Sequence, residues 1–157
     1  MKEVNKLPKS IKLSNLQIVS DRFKSIKYEV NTDIVGQQDL KPFFEINVQD
    51  LEYIKKQDHH INILELTIRF RLKKGKRTLL KFDATLEGEF WGNIQLSEEE
   101  FKELVKKGGT IHLLMIARSK ILAMSSLFGF NKPIYIPLVD IRELVNSKLK
   151  KPKEVKK

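Results

Sequence analysis

The sequence predicts an α+β fold, a single sheet whose dry face is covered by one long helix, and three observations predict it. Four segments between Leu16 and Leu86 alternate apolar with polar side chains at period two, as strands with one buried face do. Beyond Trp91, Gly92 and Asn93 the apolar spacing changes to a helical one. Residues 111 to 128 then run for about five helical turns without a proline.

Residues 1 to 10 are polar and are expected to form a flexible N-terminus. The run from Leu16 to Val30 sets Ile26, Tyr28 and Val30 against Lys27 and Glu29, a first strand with a bend near Ser20 and Asp21. Residues 31 to 41 are rich in turn formers. Pro42 opens a second strand, to about Asp50, with Phe44, Ile46 and Val48 on one side. KKQDHH, residues 55 to 60, reads as a polar loop. Leu64, Leu66, Ile68, Phe70 and Leu72 alternate with charged or polar neighbours in the strongest strand pattern of the chain. Lys74, Gly75 and Lys76 turn a hairpin into a fourth strand carrying Leu80, Phe82, Ala84 and Leu86. Ser97 and Glu100 form a capping box, so a short helix is expected over about 97 to 107. Gly108 and Gly109 are expected to break it, with Thr110 as N-cap of the long helix and Gly129 as its stop. Pro133 and Pro137 hold FNKPIYIPLVD extended, and Asp140 caps a final short helix. One domain is expected over 11 to 147, followed by a flexible basic tail over 148 to 157.

The long helix has two surfaces to bury. At about 100° per residue, Leu113, Leu114, Ala117, Ile121, Met124 and Phe128 share one apolar arc that needs the core. The opposite side carries Ile111, Met115, Ile116, Leu122, Ala123 and Leu127 around a thin polar line of His112, Ser119 and Ser126. Leaving such side chains in water would forgo roughly 1.5 to 3 kcal/mol for each large one. A second copy of the chain is the simplest cover, and Ile111, Met115, Ile116, Ser119, Leu122, Ala123, Ser126 and Leu127 are the expected oligomer interface.

With 157 residues and 41% apolar side chains, the chain can build its own core. It contains no cysteine, which removes disulfides, thiolate nucleophiles and zinc-thiolate sites together and fits a reducing compartment; a cytoplasmic location is expected. MKEVNKLPKSIKLSN holds no apolar run of signal-peptide length, and His112, Arg118 and Lys120 interrupt the one long apolar stretch, so no membrane insertion is expected. His59 and His60 are adjacent rather than spaced as metal ligands, no motif places a triad, and no glycine-rich phosphate loop is present. Neither an enzyme, a metal nor a cofactor is expected. The net charge of +10 favours acidic partners and is equally a solvated lysine-rich surface. Arg69, Arg71, Lys73, Lys74, Lys76, Arg77 and Lys81 crowd one hairpin, which raises nucleic-acid binding as a rival reading, but no exposed aromatics interleave with them for base stacking.

The order of elements and the residues of the last third resemble the SecB family, export chaperones that hold proteins unfolded for translocation. The matching pieces are the first strand's Ile26, Lys27, Tyr28 and Glu29, the strand after Pro42, the step at Gly88 and Phe90, and the helix segment with Ala117 and Arg118. To these is added a crossover loop with Gly129, Phe130, Pro133, Ile136 and Pro137; the likeness spans about residues 12 to 145. It implies a four-stranded antiparallel Greek-key sheet, a long helix on one face, a crossover loop and a short C-terminal helix, with 11 to 147 as a SecB-like chaperone domain. It also implies dimers of dimers joined through the long helices, ATP-independent binding of unfolded polypeptide in apolar grooves beneath the crossover loop, and delivery to the SecA motor. Some relatives instead act as general chaperones or protect an antitoxin. The family's motor docks on an acidic patch of the outer sheet face; the matching positions here are Ser25, Glu29, Lys81 and Asp83, where two acids remain and a lysine intrudes.

Holding an unfolded chain takes a long apolar groove with many weak contacts. Its expected lining is Phe44, Ile46 and Val48 of the second strand, Phe130, Ile134, Tyr135, Ile136 and Leu138 of the loop, and Ile141 and Leu144 of the last helix. The strand residues read equally as core. Tyr135 and Phe130, as aromatics, are the expected anchors.

Overall fold

The computed structural model describes residues 14–128 and 133–146. Strands β1 (Leu16–Val30), β2 (Lys41–Lys55), β3 (His59–Lys74) and β4 (Arg77–Asn93) form one antiparallel sheet in the order β1-β4-β3-β2. β2, β3 and β4 follow one another through tight turns while β1 lies beside β4, so its connection crosses to the opposite edge and the topology is a Greek key. Gly75, with φ of 58°, makes the β3–β4 turn. Pro42 sits on β2, an edge strand, where its missing N–H breaks no inner ladder.

A helical layer covers one face. It consists of α1 (Glu98–Leu104), a π turn (Val105–Gly109) and α2 (Thr110–Ser126), and α3 (Ile141–Asn146) follows after an extended crossover segment. The capping box forms as the sequence predicts: the Ser97 N–H donates to Glu100 Oε2 at 2.8 Å and the Glu100 N–H to Ser97 Oγ at 3.2 Å. The backbone bond from Ser97 holds the Glu100 carboxyl below its usual range. Asp140 likewise caps α3, accepting from the Arg142 N–H at 2.8 Å.

The predicted break at Gly108 and Gly109 does not occur. Both glycines lie in the π turn, which joins α1 to α2 with helical dihedrals throughout, and Thr110 is a buried residue of the helix rather than an N-cap. Gly109 serves packing instead of termination, since a Cβ there would press on the Phe90 ring at 3.3 Å. The polar loop expected over 55 to 60 also shrinks. β2 runs to Lys55 and β3 begins at His59, because His60 is buried, with its imidazole stacked on Phe101 at 5.1 Å. Its Nε2–H donates to the Leu96 carbonyl at 2.8 Å and its Nδ1 accepts from the Tyr53 hydroxyl at 2.9 Å.

Leu64, Leu66, Ile68 and Phe70 of β3 and Leu80, Phe82, Ala84, Leu86 and Phe90 of β4 meet Leu113, Leu114, Ala117 and Ile121 of α2 in one core. The helical rod can settle this close because β4 carries glycine at Gly88 and Gly92. A Cβ there would stand 2.8 Å from Leu113 and 2.2 Å from Phe101. β1 is less well covered than its pattern suggests: a register shift between Ile18 and Ser20 matches the expected bend, and Tyr28 packs on Phe128 at 4.3 Å, but Ile26 and Val30 are exposed on this edge strand. Phe130, Gly129 and both expected flexible ends lie outside the described residues.

Gly92→Ala should lower stability by about 1 to 3 kcal/mol, the usual cost of overpacking a filled core, with Phe101 forced off its site. Chemical denaturation checks it, and an unchanged midpoint would mean that α1 does not press on β4.

Candidate functional site

The crossover segment, residues 133–140, runs against α2 without regular secondary structure, and its alternation decides what it offers to solvent. Ile134 and Ile136 turn inward and are 4% and 2% exposed, whereas Tyr135 and Leu138 face out at 66% and 85%. A buried hydrogen bond fixes this phase: the Ile134 N–H donates to Ser125 Oγ at 2.7 Å, and the Ser125 hydroxyl donates to the Leu122 carbonyl at 3.2 Å. A serine inside an apolar helix carries no signal by itself; only the orphan amide of the crossing segment shows what it is for.

The ten residues expected to line the groove therefore divide. Ile134 and Ile136 belong to the core. Phe44, Ile46, Val48, Ile141 and Leu144 are half-buried, with Phe44 against Phe70 at 4.8 Å, so the first four form a partly open floor packed against the core. Tyr135 and Leu138 are the exposed members, and Phe130 lies outside the described residues. The structure also joins two groups the sequence kept apart. A concavity of about 230 Å³ is lined by Met115, Arg118, Ser119 and Leu122 of α2 together with Tyr135 and Ile136 of the crossover segment.

The outer face of α2 carries the side chains expected at the oligomer interface. Ile111, Met115, Ser119, Ala123, Ser126 and Leu127 are exposed and Ile116 and Leu122 half-buried. Its polar groups are largely satisfied within the helix: His112 Nδ1–H donates to the Gly108 carbonyl at 2.8 Å and the Ser126 hydroxyl to the Ala123 carbonyl at 2.6 Å. What this face presents outward is in effect apolar, with Met115 60% and Leu127 85% exposed.

On the other side of the sheet, charges are paired. Arg71 grips Asp83 through two bonds of 2.7 and 3.1 Å, Lys81 stands 3.7 Å from Glu29, Arg69 3.5 Å from Glu45, and Arg77 bonds Asp33. Lys73 lies 4.8 Å over the Phe43 ring and Lys74 bonds Gln37 at 2.6 Å, so six of the seven cations of the basic hairpin have a partner. Ser25, Glu29, Lys81 and Asp83 do fall together on this face, but both acids are occupied by cations. An open hollow of about 370 Å³ lies among Lys27, Glu29, Arg71, Lys81 and Asp83. Among the described residues no cluster of three histidine or acidic side chains could hold a metal, and no helix is long and apolar enough to cross a membrane. His59 bonds Asp58 at 2.6 Å and stacks on Trp91 at 4.1 Å.

No family model matches the chain, and no curated protein matches it in sequence. Solved structures do match. The Mycobacterium tuberculosis Rv1957 SecB-like chaperone, in complex with a ChAD peptide from the Rv1956 HigA1 antitoxin, superposes with a TM-score of 0.55 at 11% identity, covering 80% of this chain and 91% of that one. A protein of unknown function from Streptococcus agalactiae superposes with a TM-score of 0.42 at 10% identity, covering 78% and 97%. At such identity the first match speaks for the fold alone, and the fold of this chain is SecB-like.

Ser125→Ala leaves the Ile134 amide buried without an acceptor, at about 1 to 3 kcal/mol. Hydrogen exchange at Ile134 should accelerate at least tenfold in this variant; unchanged protection would show that the crossover segment is held by its isoleucines alone.

Proposed function

We propose that this chain is an ATP-independent cytoplasmic holdase, without enzymatic activity, that binds unfolded polypeptides on the apolar surface around the crossover segment and keeps them soluble and translocation-competent. One observation carries the reading. Tyr135 and Met115 stand exposed at a hollow between α2 and the crossover segment, with Leu138 exposed three residues on from Tyr135, and contiguous apolar surface of this kind marks interaction sites. An extended client offers apolar side chains at alternate positions, and a shallow surface with an aromatic and a methionine takes varied ones. The SecB-like fold supports this, as does the polypeptide bound by the Mycobacterium tuberculosis neighbour.

The reading includes a homo-oligomer, a dimer of dimers, joined through the outer face of α2. His112, Ile116, Ser119, Ala123 and Ser126 follow one another at alternating steps of four and three, the spacing of a helix-pairing seam. Delivery to an export motor is weakly supported, because Glu29 and Asp83 are engaged by Lys81 and Arg71 rather than free to form an acidic patch. An antitoxin as client is the second reading, favoured by the antitoxin peptide on the neighbour. Nucleic-acid binding loses ground, since the hairpin cations are mostly paired within the sheet face.

Two outcomes follow for purified protein. Wild type should suppress aggregation of a chemically unfolded protein without ATP, and Tyr135→Asp with Leu138→Asp should need several-fold more chaperone for equal protection, because charge at an exposed contact site repels apolar segments without touching the core. Equal protection by the double variant would move the site elsewhere. Ala123→Glu, exposed in one subunit and close to neutral for its stability, should lower the mass seen by light scattering; an unaltered mass removes α2 from the interface.

A further inference from the structure

The holding reading leaves open what distinguishes a good client, and the hollow between α2 and the crossover segment answers it through Arg118. This side chain is half-buried among Met115, Leu122, Tyr135 and Ile136, and among the described residues it has neither an ion pair nor a hydrogen bond. Most other cations on the sheet and helices have an acidic neighbour, including Lys120 of the same helix, which bonds Asp21. None of the residues that line the hollow is acidic, and from Leu104 to Val139 the sequence has no aspartate or glutamate. A guanidinium partly withdrawn from water and lined by apolar groups favours a carboxylate more than one on an open surface does, and it can take that carboxylate through two parallel bonds.

We propose that this hollow selects client segments in which a carboxylate lies next to apolar or aromatic side chains, with the carboxylate on Arg118 and the apolar neighbour against Met115, Leu122 and Tyr135. The inference rests on the holdase reading and gives its client class. A second copy of this chain is the less suitable occupant, because its α2 and crossover segment would bring a second Arg118 and, of acids, only Asp140, which is engaged in capping α3. A small cofactor is unsuited as well, since about 230 Å³ is below the size range of ordinary ligand pockets.

The test uses the full chain and two labelled, unstructured peptides of the same apolar content, one with glutamate between two aromatic residues and one with glutamine there. In fluorescence titrations at about 0.15 M salt, where charges farther apart than a Debye length are screened, wild type should bind the glutamate peptide roughly tenfold more tightly. Arg118→Gln should bring the ratio close to one, Arg118→Lys should keep part of it, and Lys76→Gln, which removes a distant exposed charge, should leave it unchanged. Melting temperatures and light scattering on the same samples separate misfolding or altered assembly from lost recognition. No preference in wild type, an equal loss with Lys76→Gln, or a changed mass with Arg118→Gln in place of a changed ratio would each overturn the proposal. Aggregation suppression is scored separately: protection without a glutamate preference sinks this inference and spares the holdase, while an Arg118-dependent preference without protection does the reverse.

Discussion

Helix α2 is apolar almost all the way round, and that constraint organises the molecule. A sheet can cover one arc of a helix. Here it covers the arc of Leu113, Leu114, Ala117 and Ile121, and does so at short range because Gly88 and Gly92 clear space for Leu113 and Phe101. The remaining arc leaves Ile111, Met115, Ala123 and Leu127 exposed, and the crossover segment covers only its flank. One side chain in that segment, Ile136, is both core to the domain and wall to the hollow. Stability and the proposed binding surface are therefore set by the same packing, and the segment cannot be shifted by one residue without exchanging Ile134 and Ile136 for Tyr135.

The fold was legible wherever one periodicity dominated. β3 and β4 alternate cleanly because both are inner strands under the helix, and their dry residues are those that become buried. β1 alternates as well, yet Ile26 and Val30 stay exposed, since pattern reports a face and not whether a helix is wide enough to reach it. The misreading at Gly108 and Gly109 has a related cause. Glycine is read as a helix stop when only its backbone freedom is weighed; what fixes it here is the Phe90 ring, a contact some twenty residues away in sequence that no local window contains.

The site was legible in composition and less so in geometry. Tyr135 and Leu138 stand out as large apolar residues between prolines, but the inward turn of Ile134 and Ile136 depends on Ser125, whose partner is nine residues along the chain. Reading the loop and the helix as separate surfaces, one for clients and one for copies, was natural from sequence. The structure sets Tyr135 beside Met115 and Leu122, so the two surfaces share an edge.

Charge follows the same division. On the open face of the sheet, cations and acids of different strands neutralise one another: Arg22 with Glu87, Lys24 of β1 with Glu65 of β3, Arg71 with Asp83. Such pairs at the sheet surface contribute little to stability, but they leave that face without a concentrated field. Residues 104 to 139, which include α2, hold no acid; Lys106, Lys107 and Lys120 reach acids outside that stretch, whereas Arg118, beside the exposed apolar surface, has no ion pair among the described residues. Attraction at long range and adhesion at short range then act on one surface, and a segment that satisfies both is at once apolar and acidic.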